Sequence, residues 1–143
     1  MKVSIITVCL NSEKTIRDTI NSVLSQSYKN IEHIFVDGGS KDSTISLIKN
    51  NPNKKKIIIK KDTNIYEAIN LGIKKSTGKI IQILNSDDIL ENNNIIKEVV
   101  NKIKKNPNYN IYLGNVIFFS DNNFHKINRH FQTTKSYLPY HVL

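Results

Sequence analysis

Three aspartates stand where they could do chemistry: Asp37 in the run Asp37-Gly38-Gly39-Ser40, and the adjacent pair Asp87-Asp88 in Asn85-Ser86-Asp87-Asp88. Neighbouring carboxylates on a tight turn offer hard oxygen ligands to a divalent cation such as Mg²⁺ or Mn²⁺. Such a cation keeps several waters and bridges to substrate phosphates. Placed there, it would neutralise a leaving diphosphate. An Asp pair before a helical segment also suits an N-cap, so residue type alone leaves both readings open. Asp37 precedes two glycines, which let the backbone turn tightly and approach a ligand. Its carboxylate could accept a hydrogen bond from a ribose or a base, or simply serve the turn. All three acids occur in a chain of net charge +9. Like charges gathered against that background cost free energy unless a cation or hydrogen-bonding ligand compensates them.

Other chemistries find no support. The single cysteine, Cys9, forms no disulfide framework or multi-cysteine metal site, and without a histidine partner it reads as a buried strand residue. His33, His125, His130 and His141 lack the spacing of zinc ligands. Neither a Walker loop nor a G-x-G-x-x-G fingerprint occurs.

The elements that must position the acids alternate along the chain. Lys2–Cys9 is β-branched and nearly all apolar, as in a strand covered on both faces. Asn11-Ser12 offers an N-cap, and Ile16, Ile20, Val23 and Leu24 form one helical stripe within Glu13–Gln26. Ile31–Val36 is a second strand, and Asp42 or Ser40 is placed to cap a helix over Ser43–Asn50. Lys56–Lys60 is a third strand, Asn64–Ser76 a helix, Lys79–Leu84 a fourth strand and Ile95–Lys105 an amphipathic helix. Asn110–Phe119 reads as a fifth strand, with a sixth segment near Phe124–Phe131. This rhythm predicts right-handed βαβ units and a mostly parallel sheet with helices on both faces. In such a sheet a ligand sits outside the carboxyl ends of the strands, where the strand order reverses. Asp37 and Asp87-Asp88 follow strands two and four directly.

At 143 residues the chain has the size of one domain able to bury a core. A single unit over 1–143 is expected, and mean hydropathy is −0.37. Of its 21 basic residues 19 are lysine, beside 24 isoleucines and 20 asparagines. That skew fits codon bias and a solvated surface, so the charge names no partner and no motif points to nucleic acid. The longest uncharged apolar run, Val3–Leu10, falls well short of the roughly 20 residues of a membrane span. No signal-peptide cleavage pattern follows it, so a cytoplasmic location is expected.

Several blocks together resemble family 2 glycosyltransferases. They are Ser4–Ser12, Ser22–Glu32, Val36–Thr44, Ile65–Ile73 and Leu84–Asp88, in the family's order over about residues 2–90. The resemblance implies a GT-A, Rossmann-like fold and metal-assisted transfer of a sugar from a UDP- or GDP-sugar. The acceptor implied is a glycan or lipid-linked molecule of bacterial surface polysaccharide synthesis, with peripheral contact at the inner membrane. Among nucleotide-sugar-binding positions it places Thr7, Cys9 and Asn11 after strand one and Asp37, against the base, and Gly39 after strand two. It adds Tyr66, Asn70 and Gly72 beside the donor, and Asp87 against ribose and metal. Asp88 becomes the principal metal ligand. Where the family often has Gly-Ile-Tyr-Asp-Ala, this chain has Asn64-Ile65-Tyr66-Glu67-Ala68. Asn tolerates positive φ, so Asn64 is expected to keep the turn.

Residues 91–143 correspond to the start of the acceptor-side half. Tyr137–His141 resembles the stretch where that half opens, and the family's general base lies beyond position 143. His141 is the one candidate base within the chain, and a solvated terminal histidine is the competing reading. A nucleotide-sugar-binding module without turnover is the alternative function.

Overall fold

The amino half of the chain is dominated by isoleucine and valine runs too apolar to face water, and they assemble side by side. The computed structural model describes residues 1–52 and 56–114. Strands β1 (Val3–Cys9), β2 (Ile31–Asp37), β3 (Lys56–Ile59) and β4 (Ile80–Ile83) form one sheet in the order β3-β2-β1-β4. All pairings are parallel, with Ile5 opposite His33, Thr7 opposite Phe35 and Ile6 opposite Ile83. Helices α1 (Ile16–Leu24), α2 (Thr44–Lys49), α3 (Ile65–Lys75) and α4 (Ile95–Lys105) complete the described elements.

Every residue of β1 is buried, because both faces of the sheet are covered. On one face Cys9, Phe35, Ile16, Ile20 and Ile48 join β1 and β2 to α1 and α2. On the same side Val3 and Ile5 meet Val23 of α1 and Ile96 and Val100 of α4. On the other face Ile6, Val8, Ile34 and Val36 pack against Ala68, Ile69 and Leu71 of α3. Gly72 makes that contact close: a Cβ there would run into Ile6 Cγ2.

The chain divides into two units, Met1–Asn101 and Lys102–Leu143. The first holds the whole sheet. The described part of the second comprises the last turn of α4 and residues 106–114, where Tyr109 and Tyr112 meet edge to face.

Element boundaries tighten the sequence expectations by one to three residues, and two caps differ. α1 begins at Ile16 rather than Glu13, since the Ser12 carbonyl accepts the amides of both Thr15 and Ile16 in a preliminary turn. Asn64 sits at φ −77°, not in the left-handed region; it caps α3 by accepting the Glu67 amide at 2.9 Å. The positive φ falls two residues earlier, at Asp62. Of the expected fifth strand, the described portion 110–114 contains no strand. The rest of it, and the segment Phe124–Phe131, lie outside the described residues.

Candidate functional site

The order β3-β2-β1-β4 reverses between β1 and β4, so the crevice predicted for a ligand lies at the carboxyl ends of these two strands. Three turns meet there: the one after β1, the Asp37 turn after β2, and Asn85–Asp88 after β4.

Asp37 is fully buried, and its oxygens are spent on its own turn. Oδ1 accepts the Gly39 and Ser40 amides at 2.8 and 2.7 Å, and Oδ2 accepts the Ser40 hydroxyl at 2.6 Å. A buried carboxylate satisfied in this way is held rigidly. Gly39 adopts φ +98°, which excludes most side chains, and a Cβ there would come within 2.9 Å of Lys61 Cγ. The turn therefore presents bare backbone with Lys61 lying across it.

Asn11 is exposed and left-handed, φ +50°. Its amide donates to Ser40 Oγ at 2.8 Å and its Oδ1 accepts the Lys41 amide at 2.9 Å. These two bonds lock the first turn to the second and hold the uncommon φ. Further along the same seam, Asp42 accepts the Glu13 and Thr44 amides while Glu13 accepts that of Ser43.

Asp87 and Asp88 are exposed. Asp88 Oδ2 accepts from Asn85 Nδ2 at 3.0 Å; among the described residues Asp87 has no side-chain partner. Their remaining oxygens are free to take a ligand. No group of three or more His, Cys, Asp or Glu side chains is gathered closely enough for a metal among the described residues. One or two carboxylates plus substrate phosphates are the usual set for Mg²⁺ or Mn²⁺, so the pair fits such an ion without a protein-only cage.

The other sequence-derived positions divide between edge and interior. Tyr66, 76% exposed, and Asn70 lie one turn apart on the solvent side of α3. Gly72 instead faces β1 as a packing contact. Thr7 is buried, its hydroxyl 2.8 Å from His33 Nε2. Cys9 points at Asp37 Oδ2 across 3.5 Å. Burial first, and then the Asp37 charge, push its thiol far above the ordinary range, so it is no nucleophile. His141 lies outside the described residues.

Sequence reasoning missed the hydroxyl residues that fasten the turns together, Ser12, Ser40, Thr44 and Ser86. Their signal was visible: each stands within a few residues of an acid at a strand end. It also missed Asp62, whose φ of +55° marks the entry to α3. A cavity of about 240 Å³ opens elsewhere, beside α1 and the start of β2, lined by Gln26, Tyr28, Lys29 and His33 among others.

A sequence model described as glycosyl transferase family 2 matches residues 4–142. An uncharacterized glycosyltransferase of Rickettsia prowazekii is 36% identical over 114 residues, covering 78% of this chain and 36% of the relative. A poly-beta-1,6-N-acetyl-D-glucosamine synthase of Staphylococcus epidermidis is 29% identical over 116 residues, covering 79% of this chain and 28% of the synthase. The chain thus spans about a third of the length of these curated relatives. Among solved structures, S. aureus TarS 1–349 in complex with UDP-GlcNAc superposes with a TM-score of 0.66 at 27% identity, over 73% of this chain and 32% of TarS. A Pyrobaculum calidifontis mannosyltransferase in complex with GDP-Man and Mn²⁺ has the same fold, at 20% identity and a TM-score of 0.66 over 71% of this chain and 32% of its own. No helix among the described residues is long and apolar enough to cross a membrane. With the family matched over nearly its whole length and the parallel sheet shared with these structures, the chain belongs to glycosyl transferase family 2 and carries the GT-A fold.

Proposed function

We propose that this chain forms the nucleotide-sugar-binding part of a glycosyltransferase that moves a sugar from a UDP- or GDP-linked donor to a glycan or lipid-linked acceptor. One observation carries the reading: three loops, each ending a parallel strand, meet at the switch in strand order, and there Asp37 is spent on its own turn while the adjacent Asp87 and Asp88 keep carboxylate oxygens unspent among the described residues. The nucleoside lies against the first two turns, where Asn11 fixes the floor and the Asp37 turn presents backbone freed of side chains at Gly39. Asp37 serves recognition by holding that turn. Tyr66 and Asn70 offer a ring and an amide from the neighbouring helix. Asp88, with Asp87 beside it, would hold Mg²⁺ or Mn²⁺. The cation, when bound, stabilises charge on the leaving nucleoside diphosphate. The Mn²⁺ held by the Pyrobaculum fold relative is in keeping with this choice.

Inverting transfer also needs a base on the acceptor hydroxyl, opposite the leaving group. No described residue at this edge is placed for that role, and we assign none. The polysaccharide product of the staphylococcal synthase supports surface glycan synthesis as the setting. Lysines on the outer surface suit peripheral contact with an anionic membrane.

The test is isothermal titration of the chain with UDP and with GDP, in Mn²⁺ and in EDTA. One nucleotide should bind, and more tightly with the metal. Asp88→Ala should remove that metal-dependent gain. Retention of the full gain in Asp88→Ala refutes the assignment. Donor hydrolysis or transfer, measured in parallel, separates an enzyme from a binding module without turnover.

A further inference from the structure

Ser12 stands where the three loops of the carboxyl edge meet. Its amide donates to Thr44 Oγ1 at 2.7 Å, at the start of α2. Its carbonyl accepts the Thr15 and Ile16 amides at 3.1 and 2.9 Å and so begins α1. Its hydroxyl lies 2.8 Å from Ser86 Oγ and donates to the Leu10 carbonyl at 3.3 Å. A hydroxyl has one proton to give. Either serine can be the donor in the bond between them, the Ser12 proton turning to Ser86 or to Leu10.

Ser86 is held a second time. Its carbonyl accepts the hydroxyl of Thr19, a fully buried residue of α1, at 2.9 Å. Because Ser86 immediately precedes Asp87-Asp88, fixing Ser86 fixes the backbone that carries the acidic pair. The pair itself is exposed, and its one side-chain restraint among the described residues comes from Asn85 within the same turn. Leu84 and Leu90 anchor the turn in the core on either side of the pair, and the side-chain hydrogen bonds that tie it to the β1 turn and to α1 pass through Ser86. On the other side of Ser12, its chain neighbour Asn11 is bound to Ser40 and Lys41 of the Asp37 turn.

We propose that Ser12 is a positioning residue that couples the cation-binding pair to the nucleotide pocket: through Ser86 it sets where Asp87 and Asp88 present their oxygens relative to the Asn11 and Asp37 turns. The inference rests on the reading of Asp87 and Asp88 as cation ligands given above. It assigns Ser12 no contact with substrate.

The experiment is titration of the full chain with UDP and GDP, in Mn²⁺ and in EDTA, for wild type, Ser12→Ala, Ser86→Ala, the double variant and Ser12→Thr. One side-chain hydrogen bond is worth about 0.5–1.5 kcal/mol, so Ser12→Ala should cut the manganese-dependent gain in affinity roughly 3–10-fold. The affinity in EDTA should stay within about twofold. Ser86→Ala should lose as much, the double variant no more than either single, and Ser12→Thr should recover the gain. Losses that are equal in EDTA and Mn²⁺, or that add in the double variant, overturn the coupling. Hydrogen exchange of the peptide containing Asn85–Asp88 gives a readout free of any ligand. It should quicken in Ser12→Ala while β1 and β2 stay protected, and unchanged exchange there also overturns the proposal. A wild-type chain that gains nothing from manganese with either nucleotide overturns the cation-ligand reading, and this coupling with it. A wild-type gain that Ser12→Ala leaves intact overturns the coupling alone.

Discussion

His33 makes the fold acid-sensitive from pH 6.5 downward, above the range in which Glu32 contributes. The imidazole is 4% exposed in the middle of the sheet, with Nε2 on the Thr7 hydroxyl and its ring 3.9 Å from that of Phe35. Burial lowers its pKa from 6.5 to about 3. Lys29, lining the same cavity, offers no compensating charge. Between pH 6.5 and 3 the unfolded chain therefore binds a proton that the folded chain refuses. The stability is fully present above pH 6.5 and is lost as the pH falls. At pH 5 the ratio of the two binding polynomials corresponds to about 2 kcal/mol, and the loss reaches about 4 kcal/mol at pH 3.

Urea unfolding followed by circular dichroism at pH 7.5 and pH 5.0 measures this directly. Wild type should lose about 2 kcal/mol across the interval through this group. His33→Gln, which can still bond Thr7 but cannot gain a proton, should be less stable at pH 7.5 and lose about 2 kcal/mol less than wild type on acidification. Comparing the two proteins removes the histidines outside the described residues from the difference. Equal losses in both would refute the view that His33 is kept neutral by burial.

Three further perturbations test the framework. Gly72→Ala drives a Cβ into Ile6 Cγ2 and should cost about 1–3 kcal/mol in the same unfolding assay; no change would mean that α3 shifts freely on the sheet. Asn64→Ala removes the side-chain acceptor for the Glu67 amide at the start of α3 and should cost about 0.5–2 kcal/mol, with Asn64→Ser recovering most of it. Glu32 accepts from Ser4, Lys2 and both the amide and hydroxyl of Thr77. Burial raises its pKa, but these bonds outweigh burial and bring it from 4.5 to about 2. Its stabilisation is thus present above pH 4.5 and lost as the pH falls toward 2. Glu32→Gln should cost about 1–2 kcal/mol at pH 7, after allowance for screening at the rim of the sheet. That difference from wild type should shrink steadily below pH 4.5; a difference independent of pH would assign the cost to packing.

The order of elements was legible because each signal was local. β-branched runs too apolar for an exposed strand predicted a doubly covered parallel sheet, and β1 is buried from Val3 to Cys9. The Ile16, Ile20, Val23 stripe likewise announced the buried side of α1. One error came from contacts between distant residues and the other from a local cap. Ser12 looked like an N-cap because Ser favours that position, but its amide and hydroxyl are claimed by Thr44 and Ser86, 32 and 74 residues away. Asn64 looked like a left-handed turn because Asn tolerates one. Its Oδ1 accepts the amide of Glu67 three residues on, an N-cap that suits φ −77°, and Asp62 takes the left-handed position instead.

The acids show the same limit in the site itself. In the sequence Asp37 could accept a bond from a ligand or serve its turn, and Asp87-Asp88 could hold a cation or cap a helix; residue type leaves both choices open. Folded, the acids separate by how many of their lone pairs are spent. Asp37, sealed beneath its turn, accepts two amides and a hydroxyl, so its charge becomes part of the architecture. Taking it away would leave the half-buried Gly39 and Ser40 amides unpaired and loosen the floor that Asn11 and Gly39 share. Asp87 and Asp88 stand in solvent with only Asn85 bound to one of them. In water such a pair repels weakly, and a cation arriving with a diphosphate relieves that repulsion at little desolvation cost. On the proposed reading one site uses both kinds of carboxylate, a spent one to hold backbone rigid and unspent ones to take the ligand. Burial, which no single residue reports, decides which is which.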